Sequence, residues 1–300
     1  MIASPHDKYF KNLFQEIERV TDFIQSALPH VAQHLDLKTL TIDNTSYIDK
    51  KLFPSFSDMV YNCTYKNKIQ IKIALLFEHK SYIETVPQLQ LLGYMLKIWE
   101  TNIKQKNKLM PVIPILFYHG KEEWEKKPFE SHFEGIDDFL RKYLPTFEYE
   151  LINTNSFTDE QINNMFQALS LKMSMLVMKH IFDDPEKLMN ELHNLFSGLE
   201  TLIESESGRV FFETTVIYLL NSTKMETEML KERVGEISQN AINIVETGAM
   251  KLKRDERKSI AISMLKDGFN FNIIAKHTKL SLEEIEKIAK YIEEIELEIT

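Results

Sequence analysis

Ser57 to Lys80 reads SDMVYNCTYKNKIQIKIALLFEHK. Met59–Tyr65 and Ile69–Phe77 are rich in apolar, aromatic and β-branched residues, and the polar triplet Lys66-Asn67-Lys68 separates them. That pattern predicts a β-hairpin. Alternation along a strand points Glu78 and Lys80 the same way. With the turn at Lys66–Lys68, Asp58 is expected within about one residue of Glu78 across the pair, where side chains stand roughly 5 Å apart. Two carboxylates and an ammonium then converge at the end of an apolar sheet.

Such a trio has a chemical use. Two close carboxylates repel unless a hard divalent cation such as Mg²⁺, or Mn²⁺ in its place, sits between them. The His79 backbone carbonyl is the expected third protein ligand beside Asp58 and Glu78. A metal held there polarises a scissile phosphate and lowers the pKa of a bound water, while Lys80 positions that water or stabilises charge in the transition state. A bare D…ExK match also arises by accident. Here Glu78 directly follows the apolar run Ile73-Ala74-Leu75-Leu76-Phe77, and charge against a buried strand is costly unless used or paired.

Outward from the hairpin, Pro87 suits a first helical turn, and Gln88–Gln105 carries Leu89, Leu92, Met95, Leu96 and Trp99 along one apolar face. Val112–Tyr118 then reads as a buried strand. Strand, helix, strand at this spacing predicts a βαβ crossover. Before the hairpin, Phe10, Leu13, Phe14, Ile17, Val20, Ile24 and Leu28 predict one amphipathic helix ended by Pro29. Beyond Thr158 the pattern is helical throughout, with Gln161–Phe182, Asp184–Glu204 and Arg209–Leu220 as successive helices. The expected organisation is therefore an α/β core with a mixed sheet over residues 1–157 and a helical region over 158–300.

The chain has 300 residues, a net charge of −9 and one cysteine, Cys63, which excludes a disulfide framework and a Cys-based zinc site. It has no apolar run long enough for a membrane span, and its N-terminus lacks a signal-peptide pattern, so a cytoplasmic address is expected. Net acidity opposes DNA affinity, which rests on Lys and Arg displacing counterions from phosphates. The charge is uneven, with lysines crowded in Lys97–Lys108 and Lys251–Lys258 and acids in Glu283–Glu298.

Five blocks occur in order: Asp7-Lys8-Tyr9-Phe10-Lys11, Ser57-Asp58, Leu76-Phe77-Glu78-His79-Lys80-Ser81, Gln90-Leu91-Leu92-Gly93-Tyr94-Met95 and Pro111 to Gly120, PVIPILFYHG. They resemble the Rpn family of recombination-promoting nucleases and transposases, a branch of the PD-(D/E)XK superfamily. The resemblance implies a restriction-endonuclease-like core, Mg²⁺-dependent cleavage of DNA and a link to recombination. It also implies Asp58 and Glu78 as metal ligands, Lys80 in the last motif place, and Gln90 near the phosphate. Ser57 stands where the superfamily name has proline, Gln90 where arginine is frequent, and Lys80 where many members carry glutamine. The rival reading is a DNA-binding or accessory protein on a nuclease-derived fold. Two active sites for a double-strand break make a homodimer an expectation of the same resemblance.

Three lesser features complete the reading. His119 before Gly120 reads as a structural turn with a positive φ at the glycine. Asp7 is explained by capping the first helix. Ser259–Ile292 resembles a helix-turn-helix, with Ser281…Glu284 as a capping box, yet Glu283, Glu284 and Glu286 suit phosphates badly, so a helical cap or dimer contact is expected.

Overall fold

A computed structural model describes residues 4–43, 56–66, 68–78 and 86–299; the side chains of 56–58, 76–78 and 293–299 lie outside the description. Five strands, β1 (Leu35–Ile42), β2 (Phe56–Tyr65), β3 (Ile69–Glu78), β4 (Val112–Tyr118) and β5 (Glu150–Asn153), form one sheet in that order. The β1/β2 and β2/β3 pairs are antiparallel, and β3/β4 and β4/β5 are parallel. The sheet is therefore mixed, as the hairpin and crossover patterns predict. Its two outer strands were not foreseen, because β5 has four residues and β1 is bulged between Asp36 and Thr41.

The N-terminal apolar run forms two helices rather than one, α1 (Pro5–Phe14) and α2 (Ile17–Ala27), followed by the single turn α3 (Pro29–Ala32). Tertiary partners stabilise the break. Tyr61 Oη donates to the Phe14 carbonyl at 2.7 Å, and the Arg19 guanidinium reaches the Leu13 carbonyl at 3.3 Å. Those carbonyls lack helical partners at the end of α1, and a side-chain donor replaces the missing backbone one. Helix α4 (Pro87–Lys104) starts at its proline as expected and joins β3 to β4.

Further along come the turn α5 (Asp138–Arg141) and the helices α6 (Asp159–Met165), α7 (Leu169–His180), α8 (Pro185–Leu195), α9 (Leu199–Glu204) and α10 (Glu206–Ser222). The expected helix over Gln161–Phe182 is thus two, as is the one over Asp184–Glu204. At the first break, Asp22 Oδ2 accepts from the backbone N–H groups of Gln167 and Ala168 at 2.8 and 2.7 Å. A carboxylate from α2 thereby caps α7, a partner no local pattern reveals. At the second break Gly198 adopts φ +82°, a conformation that favours glycine.

Register separates the two faces of the sheet. Met59, Tyr61 and Cys63 on β2, Ile71, Ile73 and Leu75 on β3, and Ile115 and Phe117 on β4 share one parity and are all buried. Phe117 lies 5.6 to 6.0 Å, centroid to centroid, from Phe10, Phe14 and Phe23 of α1 and α2. The other parity includes Val60, Ala74, Val112, Leu116 and Tyr118, which pack with Leu91, Tyr94, Met95 and Ile98 of α4.

By contact the chain forms two compact units, Met1–Gly208 and Arg209–Thr300. The last strand ends at Asn153, close to the change of pattern near Phe157. The second unit holds α11 (Thr227–Ile237), α12 (Ile242–Lys266), α13 (Phe271–Thr278) and α14 (Leu282–Ile299). Ala261, Ile274, Leu280 and Ile285 unite the last three around a small core. Asn270 caps α13, and Ser281 and Glu284 form the expected capping box of α14 at 3.0 and 3.2 Å. Among the described residues no helix is long and apolar enough to cross a membrane.

Candidate active site

Strand direction brings the carboxyl ends of the parallel strands to one side. Phe56, Glu78, Tyr118 and Asn153 form one row across β2 to β5, and Asp58, Leu76, Leu116 and Leu151 form another. In open α/β sheets ligands bind outside the carboxyl ends of parallel strands. Glu78 is the last residue of β3, so the charged end of the apolar run lies at that edge.

The ladder of β2 and β3 runs unbroken from Tyr65↔Ile69 to Phe56↔Glu78, which places Asp58 opposite Leu76. Asp58 is therefore two residues from Glu78, not the one expected. The correction matters, because a one-residue offset separates the two across the pleat, whereas two residues returns them to one face. Positions so related are diagonal neighbours, in general roughly 7 to 8 Å apart. Their parity is that of Val60, Ala74 and Tyr118, the face covered by α4. The side chains of Asp58 and Glu78, and all of His79 and Lys80, lie outside the described residues. Among the described residues no group of three or more His, Cys, Asp or Glu side chains is placed to hold a metal.

Gln90 is the fourth residue of α4; it is half-buried, and its Oε1 is buried without a hydrogen-bond partner. On the first turn of the same helix, Gln88 is 2% exposed and donates through Nε2 to the Lys127 carbonyl at 2.6 Å. Sequence reading passed over Gln88. The signal was there: an amide beside Pro87 at the start of a helix that faces the motif strands.

His119 is fully buried, with its Nε2 3.3 Å from Nδ1 of His6 and its ring 5.1 Å from that of Phe182. This is not the local turn expected. His119 bonds a residue from α1, and its place after Tyr118 gives it the parity of the α1 face. Gly120 has no positive φ; a Cβ there collides with the Tyr118 ring, so close approach explains the glycine. Asp7 is the N3 member of a capping box whose N-cap is Ser4, with bonds of 3.1 and 3.3 Å. Asn153, missed in the sequence, closes its own turn by accepting from Asn155 N–H at 3.0 Å, and Asn155 Nδ2 donates to the Gly120 carbonyl. These bonds tie the ends of β4 and β5 together.

The model of a family described as "Putative transposase, YhgA-like" matches residues 4–207, ending where the first compact unit ends. The chain is 26% identical to the inactive recombination-promoting nuclease-like protein RpnE of Escherichia coli K12, over 93% of this chain and 95% of that protein. It is 25% identical to the recombination-promoting nuclease RpnA of the same strain, over 94% and 96%. With the recombination-promoting nuclease RpnD of Escherichia coli O157:H7 it shares 24%, over 79% and 88%. No solved structure matches it.

Proposed function

The chain belongs to the family of YhgA-like transposase relatives, and from that membership we propose that it is a metal-dependent DNA endonuclease of the PD-(D/E)XK type. The observation that carries the reading is the register of Asp58 and Glu78 on one face at the carboxyl end of β3. Relatives named recombination-promoting nucleases over nearly the whole chain add support.

In this proposal Asp58, Glu78 and the His79 carbonyl supply oxygen ligands, a set that suits Mg²⁺ or Mn²⁺ and not a thiolate-seeking metal. The bound ion supplies Lewis acidity toward the scissile phosphate and a water of lowered pKa. Lys80 orients the attacking water and places positive charge beside the phosphate as negative charge builds there. Gln90 donates an amide N–H to a phosphate oxygen; its half-buried place on α4 fixes the donor without adding charge. The substrate is DNA, and a homodimer supplies the second cut for a double-strand break.

A non-cleaving accessory protein is the second reading, and one observation favours it: the relative named inactive matches as well as the named nucleases. Plasmid cleavage with and without Mg²⁺ or Mn²⁺, comparing the natural protein with Glu78→Ala, separates the two. Metal-dependent cutting by the natural protein alone establishes the enzyme. If neither protein cuts and neither binds metal, the accessory reading stands.

A further inference from the structure

The first turn of α4 borders a cavity of about 330 Å³ between that helix and the segment joining β4 to β5. Gln88 lines it, and so do the rings of Phe129, Phe147 and Tyr149. Its cations are Lys126, Lys127 and Arg141 and its carboxylates Glu130 and Glu148, which leaves one positive charge in excess. Lys126 is committed, at 2.8 Å from Glu148 and 2.7 Å from the Tyr149 carbonyl. Lys127 has no ion-pair partner among the described residues, and Arg141 has only the exposed Asp138 at 3.3 Å. Exposed pairs of that kind are worth little, so both cations are available to an anion.

Gln88 gives the cavity its chemical sense. Its Nε2 is spent on the Lys127 carbonyl, while its Oε1 is buried with no donor. A buried acceptor without a partner costs on the order of 1–3 kcal/mol. An N–H or O–H on a ligand in the cavity would satisfy it. Burial, then the neighbouring Glu148 carboxylate, pushes the Tyr149 hydroxyl up to about 12, so that ring stays neutral. Aromatic walls, free cations and one buried carbonyl acceptor match a base to stack, a phosphate to neutralise and a base edge to read.

We propose that this cavity receives one unpaired nucleotide of a DNA strand, stacked on Phe129, with its base N–H donated to Gln88 Oε1 and its phosphate at Lys127 and Arg141. A paired base has its Watson–Crick edge occupied and cannot donate there. The inference rests on DNA being the substrate and names its form: a strand that is single, or opened at one nucleotide.

The test is fluorescence anisotropy of the full chain in metal-free buffer, where no cutting intervenes. The probes are a single strand of about twelve nucleotides, its duplex, an abasic strand of the same length, and a deoxynucleoside monophosphate as competitor. The base-bearing strand should bind tightest. Phe129→Ala should weaken it about 5- to 100-fold, the size of one lost base–aromatic stack. Lys127→Ala should lower the slope of log affinity against log salt by about 0.7, one phosphate on a single strand. Gln88→Leu should narrow the gap between the base-bearing and abasic strands without closing it, since the Phe129 stack remains; circular dichroism checks its fold, and the half-buried Phe129 and exposed Lys127 variants carry the test should it fail. Equal binding of abasic and base-bearing strands, or strand affinity unmoved by Phe129→Ala and Lys127→Ala, overturns the proposal. So does a monophosphate that binds as tightly as the strand. Plasmid cutting with unmoved strand binding sinks the cavity alone; cavity-dependent strand binding without plasmid cutting sinks the nuclease reading alone.

Discussion

The two faces of the sheet are built on different terms. Toward α1 and α2, Met59, Tyr61 and Cys63 on β2 and Ile71, Ile73 and Leu75 on β3 are apolar and buried, and Phe117 is ringed by three phenylalanines. Toward α4, apolar positions alternate with polar ones: Asp58 and Asn62 on β2, Lys72 and Glu78 on β3. Lys72 is 3% exposed, ion-paired to Asp43 and 3.0 Å from Asn62 Oδ1. A buried charge persists where it is paired or used. One face thus holds the sheet together, while the other spends stability on placed polar groups, paired at Lys72 and proposed for chemistry at Asp58 and Glu78.

The sharpest test of that contrast is Asp58→Ala. Groups that only orient a metal ligand cost 10–100-fold when lost, so removing a ligand should cost at least about 100-fold in metal-dependent cleavage. Its thermal midpoint should stay near that of the natural protein. An Asp58→Ala protein that folds and still cuts DNA breaks the assignment of this face to chemistry. On the opposite face the effects reverse. Phe117→Ala should cost about 3–5 kcal/mol in urea unfolding and leave cleavage per folded molecule unchanged. A loss under about 1 kcal/mol would mean that the aromatic cluster does not anchor the sheet.

Asp43→Ala sharpens the comparison within the α4 face. It removes the Asp43 carboxylate from the buried Lys72 ammonium, and about 3 kcal/mol should be lost. The double variant Lys72→Met, Asp43→Leu should recover most of it, since apolar replacement of a buried pair is often neutral. Failure to recover would show the pair to be more than a packing solution.

The smallest effect lies in the second unit. The Ser281 backbone N–H, and then Arg254, lower the Glu284 carboxyl from 4.5 to about 2. Its folded value is below its unfolded one, so its contribution is present above about 4.5 and lost as pH falls toward 2. A carboxyl titration followed by NMR should show a midpoint near 2; a midpoint at 4.5 would mean that the capping box is open in solution.

How much of this was legible depends on where each determinant lies. The hairpin, α4, β4 and the capping box of α14 were read from local patterns, because their causes are local: alternation, Pro87, the Ser281–Glu284 spacing. The candidate pair Asp58 and Glu78 was legible as residues, but its offset was not. That depends on the turn, where Lys66 adopts φ 46° and Lys68 N–H returns to the Tyr65 carbonyl at 3.0 Å. The breaks after Phe14 and after Met165 were illegible, since the Arg19, Tyr61 and Asp22 side chains that stabilise them come from other elements, whereas the break at Gly198 has a local cause. Gln88 was legible only as an amide beside Pro87 at a helix start; its burial and its unpaired oxygen exist only once the segment after β4 has folded over α4.

The Asp22 cap of α7 also has a consequence in time. The bond from Ala168 to Asp22 spans 146 residues. At about 5–20 residues per second of synthesis, the carboxylate emerges roughly 7 to 30 seconds before the N–H groups it serves. Over that interval Phe23 lacks Phe166, on which it stacks at 6.4 Å, and Tyr9 lacks Ser174, to which it bonds at 2.9 Å. The growing chain therefore carries an unfinished aromatic surface even after its last strand, ending at Asn153, has been made. A fragment ending at residue 157 should aggregate where one ending at residue 208 stays soluble.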